Sequence, residues 1–397
     1  MNRLIEQKPG LLVLLLTLGV FGIINTEMGV VGIIPQIAET FGVTVPQAGW
    51  TVSVFALIVA ISAPVMPLLF SGVNRRTVML LALGLFTVSN LISMVTDSFA
   101  VLLIARALPA FLHPVYVSMA FTVAAQSFRK EAASKAVSRI FVGVSAGMVL
   151  GVPVTSFIAS HTSFGVAMAF FAAVNAIVLL ATLVCVPSMP VGERLSYGTQ
   201  LRVLKKTIVW YSVLAFTLIN GAMFGFFSFM SDYLNRVTGF AFDTVSVLLL
   251  VYGVANIAGN VLAGKMFPRH KQRYMVVTPI VMFIGYLLLF AFGETSLAAC
   301  LLILVLGLLA GFVNIVGQYM ISNAAAEAPD FANGLFLTAA NFGTMVGTAL
   351  CGAFITISGT RYSLLGSLLF LAVSLLFIIG RRYITCKQRT SKTLLNE

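Results

Sequence analysis

Three ionisable side chains lie inside long apolar segments, where a charge is costly. Glu27 lies in an otherwise uncharged run from Leu11 to Pro35, and Arg106 and His113 share a later run. An acidic residue at the centre of a membrane helix costs about 3 kcal/mol, so such residues usually face a protein interior or a water-filled cavity. Burial also favours the protonated form of a carboxyl group, which suits proton uptake and release. These side chains therefore predict a proton pathway within a membrane protein.

Glu27 and Arg106 are predicted to lie at similar depths. Glu27 lies eight residues before Pro35 (35 − 27 = 8), and Arg106 lies seven residues after the start of its own run at Phe99 (106 − 99 = 7). One interpretation is that Glu27 binds a proton while Arg106 favours its release as the conformation changes. Two alternatives remain open: a static buried ion pair, and an Arg106 that is hydrogen-bonded to backbone carbonyls.

His113 is the third candidate for proton coupling. It follows Arg106 by seven residues, so both side chains project from one face of a helix. A histidine titrates near neutrality and also hydrogen-bonds ligands. The alternative is a satisfied polar residue between helices, next to a kink at Pro114.

The composition excludes a soluble protein. The chain is 59% hydrophobic and 9% charged, whereas soluble domains carry about 25% charged residues. Runs of about 20 apolar residues are long enough to cross a bilayer, and their continuity argues against the alternating strands of a membrane barrel. Twelve runs predict an all-α polytopic membrane protein, near residues 9–35, 47–70, 77–96, 99–127, 136–160, 163–187, 209–235, 244–266, 274–292, 296–322, 332–358 and 361–380.

The formal net charge of +12 is distributed according to topology. Apart from Arg106, every Lys and Arg except Arg236 and Arg361 falls at the termini or on the even-numbered connections between spans. This asymmetry follows the positive-inside rule and predicts that both termini are cytoplasmic. The basic charge therefore predicts contact with membrane lipid and no nucleic-acid partner.

Two halves of the sequence match at a fixed offset. Glu131-Ala-Ala recurs as Glu327-Ala-Pro (327 − 131 = 196), and a pair of glycines spaced four apart recurs at the same offset, as Gly147/Gly151 and Gly343/Gly347. Parallel repeats of this kind are typical of secondary transporters. The predicted organisation is an N-terminal six-helix half at 1–187, a cytoplasmic linker at 188–208, a C-terminal six-helix half at 209–381 and a cytoplasmic tail at 382–397.

Several short motifs in the sequence resemble those of a known family. The residues that carry the resemblance are Thr26-Glu27, Gly32-Ile33-Ile34-Pro35, Phe41-Gly42-Val43, Gln47-Ala48-Gly49, Ala63-Pro64, Arg106, His113 and Gly151-Val152-Pro153. Over nearly its full length the chain is similar to the major facilitator superfamily, in the twelve-helix drug:proton antiporter branch that contains sugar-efflux and purine-efflux proteins. Departures from the family pattern are the missing Asp in the loop Ser71–Arg76, Thr155 in place of a glycine, and Pro114 where a glycine is common.

The resemblance implies a proton-coupled efflux antiporter in a bacterial cytoplasmic membrane. It would act as a monomer, use the proton gradient in place of a cofactor, and export a sugar, a purine or nucleoside, or a drug by alternating access. An importer or uncoupled facilitator of a small neutral solute is the alternative. The sequence contains no HExxH or P-loop motif and no cluster of metal-binding residues, so we expect neither an enzyme nor a metal site.

The remaining candidates line a substrate cavity or pack helices. A ligand cavity is apolar with a few placed polar groups, and an interhelical hydrogen bond or ordinary packing is the alternative for each candidate. The substrate-binding candidates are Asn25, Glu27, His113, Tyr116, Asn220, Phe224, Phe227, Asn314 and Gln318. The candidates for gating or close helix packing are Gly147, Gly151, Pro153, Gly343, Gly347, Arg75 and Arg76.

Overall fold

A computed structural model describes residues 9–126, 130–190 and 200–394, and within them the chain is helical with no β-strand. The α-helices are α1 (Pro9–Gly29), α2 (Ile34–Phe41), α3 (Val45–Ala48), α4 (Trp50–Ser62), α5 (Met66–Leu69), α6 (Arg75–Val95), α7 (Phe99–Ala110), α8 (His113–Gln126), α9 (Lys130–His161), α10 (Phe164–Cys185), α11 (Thr207–Arg236), α12 (Phe242–Met266), α13 (Lys271–Phe292), α14 (Ser296–Ala324), α15 (Pro329–Ser358) and α16 (Ser363–Leu394). Short 3-10 helices cover Val30–Ile33, Gln200–Lys205, Phe267–Arg269 and Thr360–Tyr362.

Twelve helical stretches among the described residues are long and apolar enough to cross a membrane. This confirms the predicted all-α fold with twelve spans. Two spans differ in detail from the prediction. The first does not end at Pro35 but continues as α2 to Phe41, because proline is tolerated in the first turn of a helix. The fourth is divided into α7 and α8, with His113 as the first residue of the second segment.

The chain groups into two compact units. Unit 1 contains residues 1–196 and 240–253, and unit 2 contains residues 197–239 and 254–397. The predicted division at residues 188–208 stays a prediction. Unit 1 includes the start of α12 because that segment packs on α9, where the Ser246 hydroxyl donates to Ser156 Oγ at 3.0 Å.

The repeated glycines occupy equivalent places in the two units. In unit 1, a Cβ on Gly147 would lie 3.1 Å from the carbonyl oxygen of Phe21, and one on Gly151 would lie 3.3 Å from the Asn25 Cα. In unit 2, the equivalent contacts join Gly343 to the Thr217 carbonyl and Gly347 to the Gly221 carbonyl. The contacted residues obey the same offset (217 − 21 = 196 and 221 − 25 = 196). The glycines therefore allow α1 to approach α9 closely, and α11 to approach α15.

Pro153 lies inside α9, which runs unbroken through it. Proline removes one backbone donor from the helix, and Thr155 Oγ1 donates to the Gly151 carbonyl at 2.6 Å in the same turn. The predicted roles of these residues in gating stay predictions.

We expect Gly347→Ala to destabilise the protein, because the added methyl group would clash with the backbone carbonyl of Gly221. Overpacking of this kind costs about 1–3 kcal/mol, and the thermal unfolding midpoint in detergent should fall by several degrees. Gly84→Ala on α6 is the matched control, because a methyl group added there would meet no atom within 4 Å. Equal midpoints for the two variants would contradict the close approach.

Candidate functional site

The Glu27 carboxylate lies next to the His113 imidazole in unit 1. Glu27 Oε2 is 3.0 Å from His113 Nε2, and their side chains are 10% and 7% exposed. The two atoms are therefore at ion-pair distance. Neither ring nitrogen of His113 forms a regular hydrogen bond with an atom of the described residues. The structure thus brings together two of the three side chains predicted for proton coupling.

Arg106 binds the backbone instead of the Glu27 carboxylate. Its Nε donates to the Thr51 carbonyl at 3.1 Å, Nη1 to the Thr26 carbonyl at 3.2 Å and Nη2 to the Glu27 carbonyl at 3.4 Å. Arg106 is only 4% exposed. Among the described residues, the ion-pair partner of the Glu27 carboxylate is His113 and not Arg106. This arrangement is the carbonyl-bonded alternative for Arg106.

The backbone of the first span explains why these carbonyls are available. α1 ends at Gly29 and tightens into a 3-10 helix over Val30–Ile33. Where α bonding changes to 3-10 bonding, carbonyls in the preceding turn no longer receive the regular hydrogen bond from the amide four residues later, so they can accept from a side chain. The planar guanidinium of Arg106 carries several donors in a fixed fork, so it can donate to carbonyls on α1 and in the first turn of α4 together.

Phe55 on α4 separates the arginine from the histidine. The Arg106 guanidinium carbon is 5.1 Å from the centroid of the Phe55 ring, and the His113 ring packs edge-on against the same ring at 5.8 Å between centroids. Cations are attracted to the face of an aromatic ring. Phe55 is therefore part of the site. It was not among the predicted site residues, although Phe55-Ala56 belongs to the sequence pattern that resembles the family.

The Thr26 side chain anchors the backbone next to Glu27. Its hydroxyl donates to the Gly22 carbonyl at 3.0 Å and accepts hydrogen bonds from Asn175 Nδ2 at 2.9 Å and Asn90 Nδ2 at 3.3 Å. Asn90 lies on α6 and Asn175 on α10, and both are buried. Hydrogen bonds between α1, α6 and α10 thus fix the backbone next to Glu27. Asn175 could have been noticed in the sequence as an isolated polar residue in an apolar run, whereas Asn90 lies beside Thr87, Ser89 and Ser93 and does not stand out.

The other unit 1 candidates lie deep in the packing. Asn25 is 1% exposed, its Nδ2 has no hydrogen-bond partner among the described residues, and its side chain lies against Gly151. The Tyr116 ring is fully buried in the hydrophobic core of unit 1 and its hydroxyl lies against Gly19. Their substrate-binding roles stay predictions.

The unit 2 candidates are described separately from this site. Asn220 is buried, and its Nδ2 donates to the Ala340 carbonyl at 2.6 Å and to Thr344 Oγ1 at 3.2 Å. Phe224 and Phe227 pack edge to face with 5.9 Å between ring centroids. Asn314 is half-buried and Gln318 is exposed on α14. Asn220 thus makes an interhelical hydrogen bond, and the ligand roles of all five residues stay predictions.

The two arginines predicted for gating begin α6. Arg76 Nη2 donates to the Leu183 carbonyl at 2.8 Å, and the backbone amide of Arg75 donates to the Met189 carbonyl at 3.1 Å. The Asn74 side chain accepts from the amides of Arg76 and Met189. This loop is therefore tied to the end of α10 by hydrogen bonds.

We expect Thr26→Val to lower the thermal unfolding midpoint by several degrees. Valine has nearly the same shape as threonine but leaves the buried amides of Asn90 and Asn175 without their shared acceptor, a loss of about 1–3 kcal/mol. Thr122→Val on α8 is the matched control, because its hydroxyl donates to the carbonyl four residues earlier at an exposed position. An unchanged midpoint for Thr26→Val would contradict the anchoring role of this hydroxyl.

Arg106→Lys tests whether Arg106 stabilises the protein through its hydrogen bonds to backbone carbonyls or only through its positive charge. Lysine keeps the positive charge but cannot reach the carbonyls of Thr26, Glu27 and Thr51 together, so we expect a clearly lower unfolding midpoint. Arg139→Lys, at an exposed position of α9, should leave the midpoint unchanged. If both lysine variants unfold at the wild-type temperature, the three carbonyl contacts do not contribute to stability.

Comparison with known proteins identifies the family of this chain. The chain matches the profile of the Major Facilitator Superfamily over residues 16–273 and 213–395. The uncharacterized MFS-type transporter YtbD of Bacillus subtilis (strain 168) is 32% identical over 345 residues, which cover 85% of this chain and 87% of that protein. A probable sugar efflux transporter of Helicobacter pylori (strain P12) is 23% identical over 383 residues, which cover 96% of this chain and 97% of the relative.

Among solved structures, a mutant of the nucleoside transporter NupG has the same fold. It superposes with a TM-score of 0.77 at 16% identity, and the match covers 94% of this chain and 99% of that one. Together with the twelve apolar helices, the family match establishes that this chain belongs to the Major Facilitator Superfamily and is a multi-pass membrane transporter, not an enzyme.

Proposed function

We propose that this chain is a proton-coupled antiporter that exports a small organic compound from the bacterial cytoplasm. The observation that carries the proposal is the buried Glu27–His113 pair, at 3.0 Å between Oε2 and Nε2. Both groups change charge on protonation, and at this distance the charge of each acts strongly on the other. Such a pair in the middle of a span is suited to load and release a proton during a transport cycle.

Arg106 has a supporting role in this proposal. Its hydrogen bonds to the carbonyls of Thr26 and Glu27 fix the backbone that presents the carboxylate. The guanidinium also places a permanent positive charge near Glu27 without occupying the carboxylate oxygens. The carboxylate therefore remains available to a proton, to His113 or to a substrate hydroxyl.

Coupling requires that substrate and proton favour different states of the transporter. A ligand shifts a conformational equilibrium only through its different affinities for the two states. Inward proton movement through Glu27 would then drive outward movement of the substrate, with alternating access to a site near the midplane. In this scheme the proton gradient is the sole energy source, the monomer is the working unit and both termini are cytoplasmic.

The substrate class is inferred from chemistry and from relatives. Apart from Glu27 and His113, the polar candidates are four amides and one phenol hydroxyl, which suit a neutral compound with several hydroxyls. The H. pylori relative is named as a probable sugar efflux transporter and the structural neighbour as a nucleoside transporter. Sugars and nucleosides are therefore our first choices, ahead of purine bases and neutral drugs. The second candidate function is an importer or uncoupled facilitator of the same solutes.

Glu27→Gln tests the proton carrier. We expect the variant to bind substrate and to exchange it across proteoliposome membranes in the absence of a gradient, but to lose uphill export driven by an imposed pH gradient. Glu39→Gln is the matched control, because Glu39 is an exposed carboxylate in the same span, and it should transport like the wild type. Proton release on substrate addition, measured in weakly buffered detergent solution with sugars, nucleosides and antibiotics, should occur in the wild type and the control only.

Two results would overturn the proposal. Uphill export by Glu27→Gln at the wild-type rate would remove the carboxylate from the coupling step. Wild-type transport that is insensitive to the pH gradient and releases no proton would instead support the uncoupled facilitator.

A further inference from the structure

A cluster of basic residues lies in unit 2 between α12 and α13. It consists of Lys265, Arg269, His270, Lys271 and Arg273, called here the 265–273 cluster, and all five are exposed. The sequence from residue 244 to residue 293 contains no Asp or Glu. Within the described part of the chain, no member of the cluster forms an ion pair with a carboxylate. The positive charge is therefore not neutralised by the protein around it.

The backbone that carries the cluster is anchored by the packing of an aromatic side chain. Its centre is the 3-10 helix Phe267–Arg269, and the Phe267 side chain is 4% exposed. The Phe267 ring packs at 5.1 Å from the Tyr319 ring and 6.4 Å from the Tyr274 ring, measured between centroids. Lys271 Nζ lies 5.1 Å from the centroid of the same Tyr319 ring. The cations are thus presented from an anchored turn, which reduces the entropy lost when they bind an anion.

The internal repeat shows that topology alone does not require this much charge. The equivalent loop of the first half, Ser71–Arg76, carries only Arg75 and Arg76. Arg76 in that loop donates to the Leu183 carbonyl. The positive-inside rule is therefore met in the first half by two arginines, whereas the second half presents five exposed basic residues at the equivalent place.

The surroundings of the cluster indicate what binds it. Membrane-crossing helices end at Met266 and begin again at Lys271, so the cluster lies where two spans leave the apolar layer. The same two helices expose aliphatic side chains beside it, with Leu262 44%, Met266 43% and Val277 37% exposed. A phosphate group close to hydrocarbon chains is the chemistry that matches both parts of this surface, and clusters of basic residues next to a span attract anionic lipid.

We propose that the 265–273 cluster is a binding site for the headgroup of an anionic phospholipid, with the acyl chains along the exposed faces of α12 and α13. The arginines supply donors for the phosphate oxygens. The site is independent of the proton-coupling proposal, since it lies in unit 2 and involves no residue of the Glu27 site.

The test is the binding of phosphatidylglycerol to the full-length protein in neutral detergent, followed by native mass spectrometry and by titration of a fluorescent phosphatidylglycerol. For Arg269→Gln/Lys271→Gln/Arg273→Gln we expect the apparent affinity to fall roughly a hundredfold, since each basic side chain near an anionic surface contributes roughly fivefold. Arg269→Gln/Arg273→Gln leaves the Lys271–Tyr319 contact in place and should lose roughly thirtyfold by the same reasoning. Wild-type affinity should also weaken with added salt.

The matched control removes three exposed charges elsewhere in unit 2. Arg202→Gln/Lys205→Gln/Arg382→Gln should bind phosphatidylglycerol like the wild type. Equal losses in the control and cluster variants would overturn the proposal in favour of general surface charge. Equal binding of phosphatidylcholine, or complete competition by inorganic phosphate at equal concentration, would overturn the assignment to an anionic lipid. Unfolding midpoints in phosphatidylcholine nanodiscs identify any variant that fails to fold, and the double variant then decides the result.

Discussion

The site in unit 1 depends on one interaction, the hydrogen bonding of the buried Arg106 guanidinium to backbone carbonyls of Thr26, Glu27 and Thr51. A buried charge is tolerated only when polar groups replace the water it has lost. Here carbonyl dipoles serve that purpose, at the point where the first span changes from α to 3-10 geometry. Because the arginine is satisfied by the backbone, the Glu27 carboxylate is left to His113, which is a titratable partner.

The two halves repeat the close backbone contacts between helices, but they do not repeat the ionisable side chains of the site. The glycines that let α1 meet α9 have equivalents between α11 and α15, contacting carbonyls at the same offset. At that offset, however, Glu27 corresponds to Met223, and His113 corresponds to Leu309. Close backbone packing is needed in both halves for two helices to approach. An intramembrane charge costs several kcal/mol, and the two units place theirs at different positions: Glu27 and Arg106 in unit 1, and Asp232 and Arg381 in unit 2.

Sequence analysis found the ionisable residues of the site but not their pairing. Glu27, Arg106 and His113 were distinguished because charged and titratable groups are rare in apolar runs. Their depths were then estimated by counting residues, and that count matched Glu27 with Arg106. Counting cannot give the rotation of each helix about its axis. Rotation, and the break between α7 and α8 that starts a new helix at His113, decide which side chain reaches the carboxylate.

The sequence by itself determined the twelve apolar helices, the glycine repeat and the three ionisable groups Glu27, Arg106 and His113 of the unit 1 site, because segment length, hydropathy and residue type are local properties. Only the tertiary structure decided the partners. Thr26 meets Asn90 and Asn175, which are 64 and 149 residues away in the chain, and Phe55 lies between Arg106 and His113. These contacts depend on how helices from distant parts of the chain are oriented against one another. No local pattern records that orientation, since one apolar face can pack against many others at similar cost, whereas hydrogen bonds and buried charges accept few geometries.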